Sequence, residues 1–314
     1  MNFLSWTKNQ TKKNSMAIFF DVTKSSIKYN ISLLDYFYFR FYEKEKKERA
    51  SFAGTGFMYE YQLKMNPISS RDILEDKILF NQIYHKYVNR LVYSFEELKN
   101  NQTTVQKLLE NPSGKIVLKG SKGQVGAEVE IIRSVKFNQK NLLAFMISNN
   151  FDLAEEFVTQ HSEIMSLSDS GLNTIRVFSQ LDEHDKVHFL GARLRITVNS
   201  EIDNMAAGNL AAPIDISTGI ISGAAVYSDI TKEDELIHPI SKKEIIGFQI
   251  PYWKETLQLI IVAALLRPEN RSIGWDVAIT EKGPELIEGN HNWCKLLWQL
   301  PVKKGLKAEL EKYL

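Results

Sequence analysis

Cysteine is almost missing from this sequence of 314 residues. Cys294 stands alone, so no internal disulfide can form, and a reducing, cytoplasmic setting is expected. No His–Asp arrangement is legible around it, so it is not read as a nucleophile. An excess of either charge is missing too: the formal net charge is +1, which offers no electrostatic case for a nucleic-acid partner. Lysines do cluster between Lys8 and Lys13, whereas Glu43–Arg49 alternates in sign and reads as a solvated helix. Long apolar runs are absent as well. Leu257–Leu266, interrupted by Gln258, is half of the roughly 20 residues a bilayer span requires. The first residues lack the continuous apolar stretch of a secretory signal, and no internal repeat is visible. What remains is an ordinary globular composition, 44% hydrophobic and 25% charged, in a chain long enough for two or three lobes.

Ser26 to Tyr93 reads as largely helical and aromatic-rich, with breaks at Gly54-Thr-Gly56 and Asn66-Pro67. A helix is expected to open at Ser69–Asp72 and run from Ile73 to Tyr87. After Asn111-Pro-Ser-Gly114 the pattern turns to strand: Lys115–Lys119, a loop Gly120-Ser121-Lys-Gly123-Gln-Val-Gly126, then Ala127–Ile132. Glycines let backbone amides approach closely, so such a loop can lie over phosphates. It is not a Walker loop, since no helix and no Gly-Lys-Ser/Thr follow it. An acidic-apolar stretch, Phe151 to Val158, comes next, then His161. Strand-like runs follow at Asn173–Ser179, Val187–Val198 and Gly219–Ser228, with a polar loop Asp203–Asn209 between the last two. A helix over Trp253–Arg267 is apolar on nearly every side and is expected to be central.

The stretch GWDVAITEKGPELIEGN, Gly274 to Asn290, suggests two short strands, Trp275–Thr280 and Leu286–Glu288, about a turn at Gly283-Pro284. Antiparallel pairing would bring Asp276 beside Glu288, with the amide of Asn290 close by. Two buried like charges repel, and an oxygen-seeking cation such as Mg2+ relieves that repulsion while leaving room for phosphate oxygens. A solvated hairpin with polar ends is the competing reading.

The order of these pieces resembles the ATP-grasp superfamily, and within it the group associated with sugar transfer and cell-surface polysaccharide genes. The resemblance runs from about Ile73 to Trp293. It is strongest over LNTIRVFS, ARLRITVNSEIDNMAAGNLAAPIDISTGIISG, HPI and GWDVAITEKGPELIEGNHNW. It implies an α+β fold of two lobes gripping ATP, behind a mostly helical region over residues 1–72, with the small lobe over 73–157 and the large lobe over 158–314. It assigns Asp276, Glu288 and Asn290 to Mg2+, with Mn2+ as an alternative. Lys77 and Lys119 would touch the nucleotide phosphates, and Gly120, Ser121, Gly123 and Gly126 would form the flap above them. Glu155, Glu156, Phe157 and Val158 match the hinge that reads the adenine edge, and His161 lies near the expected ribose site. Arg176, Arg195 and Asn204 match positions facing the transferred phosphoryl group.

The usual Lys-Pro is here Lys119-Gly120, and His291-Asn-Trp293 follows Asn290 where the family has Pro-Gly. The implied activity is ADP-forming ligation of a carboxylate to an amine through an acyl phosphate, on small-molecule or sugar-linked substrates, in bacterial surface-polysaccharide assembly. Phosphorylation of a sugar hydroxyl and a non-catalytic nucleotide-binding subunit are the alternatives.

Overall fold

A computed structural model describes residues 3–122, 129–201 and 203–314. Among them, strands β1 (Val92–Ser94), β2 (Lys115–Lys119), β3 (Val129–Arg133) and β4 (Leu153–Glu156) form an antiparallel sheet in the order β1-β4-β2-β3. A second antiparallel sheet holds β5 (Ile175–Leu181), β6 (Val187–Ile196), β7 (Leu210–Ile214), β8 (Ser272–Thr280) and β9 (Gly283–Asn290), in the order β7-β6-β5-β8-β9. The α+β class expected from the sequence is the class observed.

Alternation along the strands separates core from cleft. In the smaller sheet Ile116, Leu118 and Ala154 pack against Leu98, Val105, Leu142 and Met146 of three covering helices. Val117, Lys119 and Glu155, on the alternate positions, line the cleft instead. In the larger sheet Ile175, Val177, Trp275 and Val277 bury themselves against the helix Trp253–Leu266 and against Phe80 and Tyr84 of the helix Lys77–Tyr84. On the other face Phe178 joins Trp293 and Trp298, and this second core continues through Met58, Tyr61 and Met65 of the helix Thr55–Met65. The helical region before it has its own aromatic cluster around Tyr36, Phe41 and Phe52.

Several sequence expectations need correction. The helix expected from Ile73 to Tyr87 is interrupted because the Asp76 carboxylate accepts hydrogen bonds from the amides of Ile78 (2.8 Å) and Leu79 (3.2 Å), capping a new helix that begins at Lys77. Gly219–Ser228 is not a strand and makes only isolated bridges, such as Ile214 with Ile221. The helix Trp253–Leu266 is not central. It covers one face of the larger sheet through Ile260, Ala263 and Ala264 while Leu265 and Leu266 stay exposed. The hairpin turns at Glu281-Lys282 rather than at Gly283-Pro284: Gly283 (φ +115°) pairs with Thr280, and Pro284 with Ile279. Pro284 is tolerated because β9 is an edge strand.

Candidate active site

A cleft of about 770 Å³ lies between the two sheets. Its floor is a row of charges crossing the larger sheet. Arg176 on β5 stands in register with Asp276 on β8, and Asp276 with Glu288 on β9. The Arg176 guanidinium grips Asp276 with two hydrogen bonds, from Nε to Oδ1 and from Nη2 to Oδ2, the latter 2.8 Å. Arg195 Nη2 donates to the same Oδ2 at 2.6 Å. Asn290 Nδ2 donates to Glu288 Oε1 at 3.1 Å.

A β-bulge makes this row possible. Val277 pairs with Leu286 and Asp276 with Glu288, which leaves Ile287 as an extra residue on β9. Leu286 and Glu288 are two apart and would share a face in a regular strand. The inserted residue sends Leu286 into the core and Glu288 onto the face of Asp276.

Burial raises the pKa of Asp276, but the guanidinium groups of Arg176 and Arg195 outweigh it and hold the carboxyl below its ordinary value. Burial and the Asp276 charge push Glu288 above its own. A group made reluctant to ionise by a neighbouring carboxylate is one that a cation would relieve. Among the described residues no cluster of three or more His, Cys, Asp or Glu side chains forms a metal cage. Two carboxylates and an amide oxygen make the sparse set that fits Mg2+, which fills its remaining positions with phosphate and water oxygens.

Across the cleft stand two lysines and the acids beside them. Lys119, at the end of β2, lies 2.7 Å from Glu155 on β4. Lys77 donates its backbone N–H to the Ser121 carbonyl (3.0 Å). Burial and the nearby Lys119 ammonium hold its amine below the ordinary lysine value. Glu155 is fully enclosed; burial alone would raise it, but Arg90 and Lys119 lower it to about 2. Gly120, Glu156, Phe157 and Val158 also line the cleft, as does Asn204.

Two expected residues stand elsewhere. Ser121 is buried with its hydroxyl on Asp152 (2.6 Å). His161 caps the helix Ser162–Leu167, lies 3.5 Å from Glu281, and does not line the cleft. Gly123 and Gly126 lie outside the described residues.

The structure adds residues that the sequence did not single out. Arg90, just before β1, donates from Nε to Glu155 (3.0 Å) and lies 3.4 Å from Glu285 on β9, so one buried guanidinium ties the two sheets together. Nothing local marks it, because its partners are 65 and 195 positions away. Asp203 accepts from the Thr174 amide (2.9 Å) and hydroxyl (2.6 Å) and sits 3.3 Å from Arg195. Burial and the Asp276 charge raise its pKa. Two strand arginines in need of counter-charge were the available signal for Asp203. Tyr38 brings the N-terminal helices to the cleft, where Trp293 and Cys294 also lie.

The family model for sugar-transfer associated ATP-grasp proteins matches residues 57–313. The chain belongs to that family. Its fold is therefore the ATP-grasp fold. Solved structures similar to this ATP-grasp chain include the biotin carboxylase domain of 2-oxoglutarate carboxylase from Hydrogenobacter thermophilus, solved with MgADP and bicarbonate. It shares 14% identity at a TM-score of 0.41, covering 74% of this chain and 46% of that one. The L-amino acid ligase from Bacillus licheniformis shares 11% identity at a TM-score of 0.43, covering 77% and 50%. D-alanyl-alanine synthetase A from Vibrio cholerae shares 12% identity at a TM-score of 0.41, covering 78% and 62%. The chain spans about half the length of the first of these structures. No curated protein matches the sequence significantly.

Proposed function

We propose that the protein is an ATP-dependent carboxylate–amine ligase that forms an amide through an acyl phosphate and releases ADP and phosphate. The observation that carries this reading is the charge layout of one cleft, with Lys77 and Lys119 on one wall facing the Arg176–Asp276–Glu288 row on the other. Two half-buried lysines close enough for the Lys119 ammonium to lower the Lys77 amine make a place that suits a polyanion such as a triphosphate.

In the first step a substrate carboxylate oxygen forms a bond to the γ-phosphorus while the bond from that phosphorus to the β,γ-bridging oxygen breaks, giving an acyl phosphate and ADP. Lys77 and Lys119 hold the phosphates, and Arg176 and Arg195 stabilise the equatorial oxygens in flight. In the second step the amine nitrogen bonds to the acyl carbon, loses a proton, and phosphate leaves. Asp203, which burial and the Asp276 charge raise above the ordinary carboxylate value, stands beside Arg195 and is placed to take that proton. Asp276, Glu288 and Asn290 would hold Mg2+, which when bound supplies charge neutralisation for the β- and γ-phosphates. Glu155 to Val158 would read the adenine edge. In our reading the reaction belongs to the cytoplasmic stage of bacterial surface-polysaccharide assembly, on a small-molecule or sugar-linked carboxylate, a reading that the family's sugar-transfer description supports.

Incubation with ATP, Mg2+ and pools of carboxylates and amines tests the proposal. ADP release should depend on the carboxylate pool, and hydroxylamine in place of the amine should yield a hydroxamate, the signature of an acyl phosphate. A stable phosphorylated hydroxyl product would instead make the protein a kinase. ADP release indifferent to both pools would defeat the ligase reading.

A further inference from the structure

The helix Ser15–Tyr29 has two apolar faces, and only one of them is used. Ile18 and Val22 are buried in the N-terminal aromatic cluster. On the opposite side Met16, Phe19, Phe20 and Ile27 are 68, 64, 63 and 83% exposed, at the spacing of a single helical stripe. None of the four lines the cleft. Such a stripe of large side chains in water marks an interaction surface.

The charge around the stripe says what kind. Residues 3–30 carry five lysines (Lys8, Lys12, Lys13, Lys24 and Lys28) against one acid, Asp21, in a chain whose whole net charge is only +1. All five lysines are exposed. Asp21 is withdrawn from the surface field because Arg49 grips both of its oxygens, at 2.7 and 2.9 Å. Lys24 and Lys28 flank the stripe on the helix itself, and Lys12 and Lys13 stand just ahead of it. An isologous contact between two copies would bring these cationic faces together, which disfavours a dimer here.

We propose that this face docks on an anionic phospholipid surface, with Met16, Phe19, Phe20 and Ile27 entering the headgroup boundary and the lysines meeting lipid phosphates. The helix lies along the surface and does not cross it; among the described residues no helix is long and apolar enough to span a membrane.

Flotation of the full chain with vesicles of phosphatidylcholine and phosphatidylglycerol, against phosphatidylcholine alone, tests this. The wild type should float with the anionic vesicles, increasingly so at low salt. The double variant Phe19→Ser, Phe20→Ser should lose binding by on the order of tenfold or more. Lys24→Gln with Lys28→Gln should weaken binding and flatten its salt dependence. Both variants should keep the wild-type melting temperature and cleft-dependent ADP release, because the altered side chains are exposed and outside the cleft. Failure to float with anionic vesicles, equal binding to neutral ones, or undiminished binding by the serine variant would overturn the proposal. Light scattering that shows a dimer lost in the serine variant would assign the face to a second copy instead. These results are independent of whether ligation is the reaction.

Discussion

Glu288, half-buried, and Glu155, buried, share one cleft, and their neighbours push them in opposite directions. For Glu288, Glu288→Gln removes a charge that the metal-free fold holds at a cost. The variant should therefore melt at or above the wild-type temperature without metal. Mg2+ with ADP should stabilise the wild type by about 2.7 kcal/mol at a hundredfold excess over Kd, and chelation or the Gln substitution should remove most of that gain. Thermal melts with and without EDTA check it. Glu155 is held at about 2 in the fold against an ordinary 4.5, so its contribution is fully present above pH 4.5 and is lost as pH falls from there toward 2. The gap corresponds to about 3 kcal/mol. Urea titrations across that window should show a steep acid limb in the wild type and a flatter one in Glu155→Gln.

At the scale of elements, the strand pair β8–β9 sets both the carboxylate row and the packing beneath it. Gly274 sits on the face of Asp276, where an added methyl would stand 2.6 Å from Trp293 Cβ and 3.2 Å from Arg176 Cδ. Gly274→Ala should cost about 1–3 kcal/mol through overpacking, measured by chemical denaturation. It should also lower turnover, because the displaced group is the arginine that holds Asp276. The bulge at Ile287 carries information that no period-two reading of PELIEGN contains. Regular alternation would place Glu288 with Leu286 in the core, and only the pairing with β8 shows that the two part company.

Across the whole molecule, Arg90 joins the sheets. Its side chain is 2% exposed and lies between Glu155 of the smaller sheet and Glu285 of the larger. Arg90→Met leaves Glu285 buried without a cation and should cost about 3–5 kcal/mol. Combining it with Glu285→Gln should recover part of that loss, a non-additivity that a double-mutant cycle would measure. A merely local role for Arg90 would leave the two changes additive. Because Glu155 also positions Lys119, Arg90→Met should raise KM for ATP more than it lowers kcat.

Several features were legible in the residues themselves. Lys115–Lys119 as a strand and arginines two apart on β6 follow from local periodicity, since side-chain direction repeats every two residues wherever a strand forms, and two strands joined by a short turn were enough to bring Asp276 near Glu288 though not to give its face. The single cysteine and the balanced charge likewise need no coordinates. The tertiary structure alone decided which acids belong to which cations, that Arg90 spans two sheets, that Tyr38 reaches the cleft, and that one face of the Ser15–Tyr29 helix is left bare. Those facts depend on pairings between residues tens to hundreds of positions apart. Sequence periodicity carries no register over such distances, and burial, which sets every charge here, exists only once the chain has closed on itself.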